Sequence, residues 1–337
     1  MGEKNNLAAI AARTGYSVTT VSRVLGGKAG QYRISAEAVE KISAEARACH
    51  YRPNLLAQSL RTRQSQTVGL VVPGIDNPFF AQLSSIIISQ LDRRGYHTLL
   101  ADSRESEKEE EQALQMFQDR NVDGIVAVPV ASTPQLHERV AREVPLVLID
   151  RYFEQTSLSY VCTDNYAGAF MATRYLTGKG YRRILAIQGL PSSMPNRERV
   201  RGFLDALEGT EVQCNVVGNA FSVENGNRET LAAFAGNPKA YDVIFAFSAT
   251  ILLGTISALR KLGLTEGKDL GVISYDNNGF LDFMNPPVTC VEQPLQEAGE
   301  IAVDTLFALM EAQRSGGPPP PPVQQLVRPS LIIRESC

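Results

Sequence analysis

The chemically suggestive residues in this 337-residue sequence are charged and polar side chains that follow short apolar runs. Asp150 and Arg151 follow LVLI, and Asp276-Asn277-Asn278 follow GVISY. Arg197, Arg199 and Arg201 open an amphipathic stretch before Gly202-Phe203. Carboxylates and guanidinium forks gathered in a cleft hold vicinal hydroxyls through charge-assisted bonds, while aromatic rings cover the apolar faces of a ligand. Taken singly, each acidic residue reads more simply as a solvated loop residue or a helix cap; as a set at strand ends they point to binding. Catalysis has no comparable support. The sequence has no P-loop, dinucleotide-binding, zincin or nucleophile-elbow motif, and His50, His97 and His137 are isolated. The five cysteines are scattered singly without metal-ligand spacing, so neither a metal nor another cofactor is expected.

The apolar runs themselves form two series. VGLVV (68–72), HTLLA (97–101), GIVAV (124–128), LVLID (146–150) and YVCT (160–163) make the first. ILAIQ (184–188), VIFAF (243–247), GVISY (271–275) and TCVEQ (289–293) make the second. Continuous apolar runs suit parallel strands buried on both faces, joined by right-handed helical crossovers. Two such series predict two α/β lobes with a cleft between them, and ligands of open α/β sheets bind outside the carboxyl ends of the strands. The run SGGPPPPP (315–322) reads as a stiff connection before the closing segment VRPSLIIRE.

The first 66 residues differ in texture. They carry ten Lys and Arg against four Glu and no Asp, while the remaining 271 residues are net acidic. A basic head on an acidic body fits a phosphate-binding module joined to a sensor. Leu7, Ile10 and Ala11 recur at helical spacing until Gly15 breaks the pattern, and Ser17 is a good N-cap for a second helix, Val18 to Leu25. Val21, Val24 and Leu25 share its inner face; Val18, Thr19, Ser22 and Arg23 lie opposite. A third helix starts after Ser35 with Val39, Ile42 and Ala46 inward. Together these predict a helix-turn-helix unit, whose second helix enters the major groove.

The segments LAAIAARTGYSVTTVSRVLGGKAGQYRIS and YRPNLLAQSLRTRQSQTVGLVVP resemble the LacI/GalR family of bacterial transcription regulators, and the resemblance extends over essentially the whole chain. It implies an α/β fold with a three-helix helix-turn-helix head and a two-lobe, periplasmic-binding-protein-like core of parallel sheets. The implied domains are a DNA-binding head (1–49), a hinge helix and linker (50–66) and a core (67–337). The core's N-lobe would take about 67–163 and 293–322, and its C-lobe about 164–292 and 323–337. Val18, Thr19 and Arg23 fall where the family reads base edges; Ser17, Thr20 and Ser22 are placed for phosphate contacts. Asn54, Ala57 and Leu60 fall on the hinge helix that folds when two copies meet on DNA, with Leu60 as the minor-groove wedge. Asp150, Arg199 and Asp276 match effector-binding positions, with Arg151 beside them. Phe221 matches a stacking aromatic, and Phe79 and Phe80 match a wall of the first lobe. Where the family commonly carries Asn-Asp, this sequence has Ser248-Ala249, which puts the usual hexose ligands in doubt; this loss, with the segments GKAGQYRIS, LIDR and DNNGFLDF, resembles the fructose and sucrose repressor branch.

The implied protein is a cytoplasmic homodimer or tetramer, without a membrane partner, that binds a pseudo-palindromic operator under control of a sugar or sugar phosphate. No apolar run reaches 18 residues, and MGEKNNLAAIAAR lacks the apolar core of a secretory leader. A sugar receptor with a non-functional DNA head is the alternative, and the YRPN hinge motif argues against it. The Arg23 assignment is testable by titration. Arg23→Ala should weaken operator binding by about 1–3 kcal/mol, concentrated at one base pair per half-site, and weaken random-DNA binding much less. Equal losses on both DNAs would make Arg23 a phosphate contact.

Overall fold

The structure is a computed structural model that describes residues 6–51 and 64–337. Asn54, Ala57 and Leu60 lie outside the described residues. The chain separates into two compact units, 1–65 and 66–337.

The head folds as its periodicity and caps dictate. Helices α1 (Leu7–Thr14), α2 (Val18–Leu25) and α3 (Ala36–Ala48) each begin at a polar N-cap. Asn6 accepts from the Ala9 amide, Ser17 from Thr20 and Ser35 from Ala38. These bonds satisfy amides that the first turn leaves without intrahelical partners. Gly15 closes α1 in the left-handed conformation (φ 77°), which allows the chain to turn at once into α2. Ile10, Ala11, Val21, Val24, Ile42, Ala46 and Cys49 form the small core, with Leu25 and Val39 packed at its margin.

The second unit holds two six-stranded sheets. The first contains β1 (Thr67–Val72), β2 (His97–Asp102), β3 (Gly124–Ala127), β4 (Leu146–Ile149) and β5 (Ser159–Thr163). Its intervening helices are α4 (Pro78–Asp92), α5 (Glu107–Asp119) and α6 (Gln135–Ala141). The chain then crosses into α7 (Asn165–Gly178), β6 (Arg183–Ile187), α8 (Met194–Leu207), β7 (Gln213–Val217), α9 (Val223–Phe234) and β8 (Val243–Ala246). It continues through α10 (Ala249–Leu262), β9 (Gly271–Tyr275), a 3-10 turn (Gly279–Phe283) and β10 (Thr289–Glu292). Helix α11 (Leu295–Ser315) returns to pack on the first sheet; β11 (Gln324–Val327) and β12 (Ser330–Ile332) follow.

The two sheets repeat one plan. Their strand orders are β11-β5-β4-β3-β1-β2 and β12-β10-β9-β8-β6-β7, all parallel except β12, which runs antiparallel to β10. Each is a 2-1-3-4-5 doubly wound sheet with one added strand, so each changes winding direction between its first and third strands. Central strands β1, β3, β4, β8 and β9 are buried almost throughout, because helices cover both faces. Edge strands β2 and β7 are half exposed.

The expected lobe boundary at 322/323 needs correction. β11 pairs in parallel with β5, Gln324 opposite Tyr160 through Val327 opposite Thr163, so the first lobe extends to Val327. Pro318–Pro322 have no N–H to offer a ladder; they run as an irregular connection, and pairing starts beyond them. The last crossing is therefore at Arg328-Pro329, after those at Asp164 and Gln293-Pro294.

Helices α9 and α10 approach closely enough to exclude any side chain at the contact. A Cβ built on Gly254 would stand 2.0 Å from the Val223 carbonyl oxygen, and one on Gly226 would stand 2.1 Å from that of Ile251. Gly254→Ala should therefore cost roughly 1–3 kcal/mol through overpacking, despite the better helix propensity of Ala. Gly178, in the last turn of α7, has open space around its Cβ direction. Gly178→Ala should be neutral or stabilising by up to about 1 kcal/mol. Urea unfolding of both variants checks the opposite signs.

Candidate functional site

Seven strand ends from the two lobes meet in one cleft. The first lobe contributes Asn77, Phe79 and Phe80 after β1, Glu105 after β2, and Asp150 and Arg151 after β4. The second contributes Ser193, Pro195 and Arg199 after β6, Phe221 after β7, Ser248 after β8 and Asp276 after β9; Gln293 closes the ring at a crossing. Every effector residue expected from the sequence thus lines the same cavity. Its innermost part is drawn down to about 40 Å³, and an adjoining chamber of about 700 Å³ shares Glu105, Arg151 and Ser193 with it. The inner volume has room for about one or two waters, so a sugar-sized molecule would occupy it only if the lobes part.

Arg199 stands at the centre. It is 4 % exposed, and its guanidinium carbon lies 3.7 Å from the centroid of the Tyr275 ring. Its Nε donates to Asn165 Oδ1 at 2.8 Å and its Nη1 to the Phe247 carbonyl at 2.6 Å. Two of its five N–H groups are thereby used for holding the fork in place. Tyr275 is itself fixed, its hydroxyl donating to the Asn165 carbonyl and its ring stacked on Phe245. Phe221 lies 6.0 Å from the guanidinium on another side.

Asp150 and Asp276 occupy equivalent places in the two sheets, each just beyond the fourth strand. Both are buried and both have left-handed backbones, φ 67° and 72°. Each keeps its amide in the ladder, donating to Val161 O and Val291 O respectively. Asp tolerates this region better than most residues, yet two such positions in one cavity mark a site where the fold holds backbone strain. Burial, opposed by Arg151 and Arg199 and reinforced by Asp276 and Glu105, leaves the Asp150 carboxyl pushed up to about 6. Asp276 is tied by Gln293 Nε2 to Oδ1 at 2.6 Å and by a longer contact from the Ala249 amide.

The remaining walls are both charged and aromatic. Arg151 makes a bidentate pair with Glu105, at 2.8 and 2.6 Å, and lies 5.8 Å from the Phe80 ring. Phe79 and Phe80 pack edge to face. Arg151 Nε is 3.9 Å from Asp150 Oδ2, too far for a hydrogen bond, and is buried without a partner. Ser193 Oγ and Gln293 Oε1 are likewise buried and, among the described residues, unpartnered. Three orphan polar atoms around one cavity are what a site leaves for ligand atoms to satisfy.

Some residues do other work than expected, and some were missed. Ser248 Oγ caps α10 by accepting from the Ile251 amide and pairs with Thr250. Arg197 and Arg201 are exposed; Arg197 bonds the Ser192 carbonyl, and Arg201 pairs with Glu198. Glu105, Ser193 and Gln293 were not singled out from the sequence. Gln293 ends TCVEQ, so the strand-end rule that selected Asp150 also reaches it. Ser193 precedes Met194-Pro195, a legible helix start. Glu105 sits in a charge-rich stretch that does not reveal its partner.

On the head, Ser17, Val18 and Thr19 are exposed on α2, and Thr20, Ser22 and Arg23 are partly so. The Ser17 and Thr20 hydroxyls are 2.9 Å apart, and Arg23 lies over the Tyr32 ring at 3.8 Å. Among the described residues, no His, Cys, Asp or Glu grouping could hold a metal, and no helix is long and apolar enough to cross a membrane.

A family model described as a periplasmic binding protein domain matches residues 68–314. The HTH-type transcriptional regulator reg1 of Streptomyces lividans is 31% identical, over 98% of this chain and 96% of its own. The ribose operon repressor of Haemophilus influenzae is 28% identical, over 95% of each chain. The lac repressor dimer bound to operator and the anti-inducer ONPF superposes with a TM-score of 0.86 at 24% identity, covering 99% of both chains. A basic three-helix head, a doubled parallel-sheet core and relatives aligned from end to end place this chain in the LacI/GalR family of helix-turn-helix transcription regulators.

Proposed function

We propose that the protein binds a pseudo-palindromic operator as a homodimer and that a polyol effector, a sugar or sugar derivative, controls that binding from the cleft between the core lobes. The observation that carries this reading is the convergence of Arg199, Asp150 and Asp276 from different sections of the chain on one buried cavity. Guanidinium and carboxylate groups in a dry cleft bond vicinal hydroxyls, and Phe79, Phe80 and Phe221 supply apolar faces for the carbon skeleton. The Ser248-Ala249 pair supports an effector of the fructose and sucrose repressor branch over an ordinary hexose.

Coupling to DNA follows from linkage. An effector shifts the balance between lobe arrangements only by its differential affinity for them. Arg199 is well placed to generate that difference: it faces the cleft and also bonds Asn165, the first residue of α7 beyond a lobe crossing. Val18, Thr19 and Arg23 would read base edges, with Ser17, Thr20 and Ser22 on phosphates. Gel shifts of this protein on palindromic fragments, with and without sugars, test the whole reading. Failure to retard any fragment while sugars still raise the melting temperature would leave a receptor and no regulator.

Two variants probe the cleft. Arg199→Ala should abolish the effector's influence on operator binding while effector-free operator affinity stays nearly intact; Arg199→Lys should fail similarly, because an ammonium cannot reproduce the planar fork. A normal effector response in Arg199→Ala would remove this residue from the site. Asp150 yields a pH signature. Its folded pKa of about 6 lies above the unfolded value, so its contribution to stability is fully present below about pH 4 and lost as pH rises through 6. Asp150→Asn should therefore stabilise the effector-free protein near pH 7, by on the order of 3 kcal/mol at most, with the gain shrinking toward pH 4. Hydroxyls donating to the ionised carboxylate favour that form, so the effector-induced rise in melting temperature should be larger at about pH 7.5 than at about pH 5. Thermal unfolding across that range measures both effects.

A further inference from the structure

We propose that the effector carries an anionic group, phosphate or carboxylate, that docks on the N-terminus of α8. The inference rests on the cleft reading above and narrows its ligand to charged derivatives. Ser193 is the N-cap of α8 but makes no capping bond, and its hydroxyl is buried without a partner. The residue is 7 % exposed and lines both the inner cavity and the larger chamber. Met194 and Asn196 are also buried, and neither backbone N–H finds an acceptor among the described residues; Pro195 between them has none to offer. A helix start buried in this way lacks the oxygen atoms that would normally cap it.

The junction is firmly built, so the missing acceptors do not reflect a loose loop. Asn196 Oδ1 accepts from the Gly189 amide at 2.8 Å, and its Nδ2 donates to Gln188 Oε1 at 2.9 Å. Asn225, in the first turn of α9, donates to the Gln188 carbonyl at 3.0 Å. One turn into α8, Arg197 lines the chamber, with Nη1 on the Ser192 carbonyl and Nη2 3.7 Å from Glu154. Glu154 is largely exposed and can yield this cation to a ligand at little cost. Two amides and a hydroxyl lack acceptors, a guanidinium stands one turn away, and the positive end of the helix dipole favours negative charge there. A neutral hydroxyl supplies two lone pairs; a phosphate or carboxylate supplies enough for the whole set.

The test pairs each charged probe with its neutral parent in thermal shift and calorimetry: fructose 1-phosphate with fructose, glucose 6-phosphate with glucose, ribose 5-phosphate with ribose, and gluconate with glucose. Inorganic phosphate alone is a separate arm. At least one charged member should bind about tenfold or more tightly than its parent, a difference of roughly 1.4 kcal/mol. Ser193→Asp places a carboxylate at the cap and should abolish that preference, while raising the melting temperature of the ligand-free protein. Arg197→Gln should weaken the charged member and reduce its salt dependence. Charged probes that bind no better than their parents overturn the proposal, as does a preference that survives in Ser193→Asp. Inorganic phosphate matching the best sugar phosphate would show that the anion is not part of the effector, which also overturns it. Operator gel shifts on the same preparations report separately on the regulator reading, which stands if they succeed while the probes fail.

Discussion

A guanidinium removed from water needs anions, hydrogen-bond acceptors or a polarisable surface around it, and Arg199 draws on all three. Its stack on Tyr275 and its bonds to Asn165 and Phe247 fix the fork without a direct ion pair. Charge balance comes instead from Asp150 and Asp276 across the cavity, whose carboxylates lie close enough to affect one another. Moving the lobes apart changes the electrostatic surroundings of every charge in the cleft at once. The site is therefore a coupled set of charges, and the effect of any ligand includes the redistribution of that set.

Doubling of the sheet explains how so few loops build the cavity. Each sheet offers the junctions after its first and fourth strands, and the two sheets face each other across the crossings. Asp150 and Asp276 are the same structural position used twice, with the same left-handed backbone and the same ladder bond. Each lobe presents its own acid, fork and aromatic surface, and the cavity lies where the two sets meet. The first supplies Asp150, Arg151, Phe79 and Phe80, and the second supplies Asp276, Arg199 and Phe221. A molecule held by both sets would bridge the lobes, which is how a binding event can become a mechanical one.

Much of this was legible because burial on both faces leaves a continuous apolar signature. Strands β1, β3, β4, β8 and β9 stand out in the sequence for that reason. β7 did not: its QCNVV lies at an edge, half exposed, and carries polar residues no run-based reading would select. β11 falls to the other lobe in the sequence reading because QQLV carries only half an apolar pattern, and its partners in β5 are 164 residues away in the chain. The head was clear from Ser17, Gly15 and Ser35, since caps and breakers act locally. In the cleft, Asp150, Arg199 and Asp276 follow from the strand-end rule and the family resemblance together. Glu105 and Ser193 depend on contacts that no local spacing encodes, one an ion pair with Arg151 and the other a cap left without its bond. Ser248 shows the reverse: it lines the cavity as expected, yet its hydroxyl is already engaged in the helix it begins.

The position of the last two strands sets the order in which the molecule can acquire its parts. Both sheets are completed by residues 324–332, and Ser336 Oγ ties the Val272 carbonyl to the Thr289 amide. Neither lobe is a contiguous stretch of chain, so synthesis must pass residue 327 before the first sheet can be completed and residue 332 before the second. The head, with a core drawn wholly from local sequence, has no such dependence and can fold as soon as it emerges. During synthesis, then, the head can form long before either sheet of the core receives its last strand.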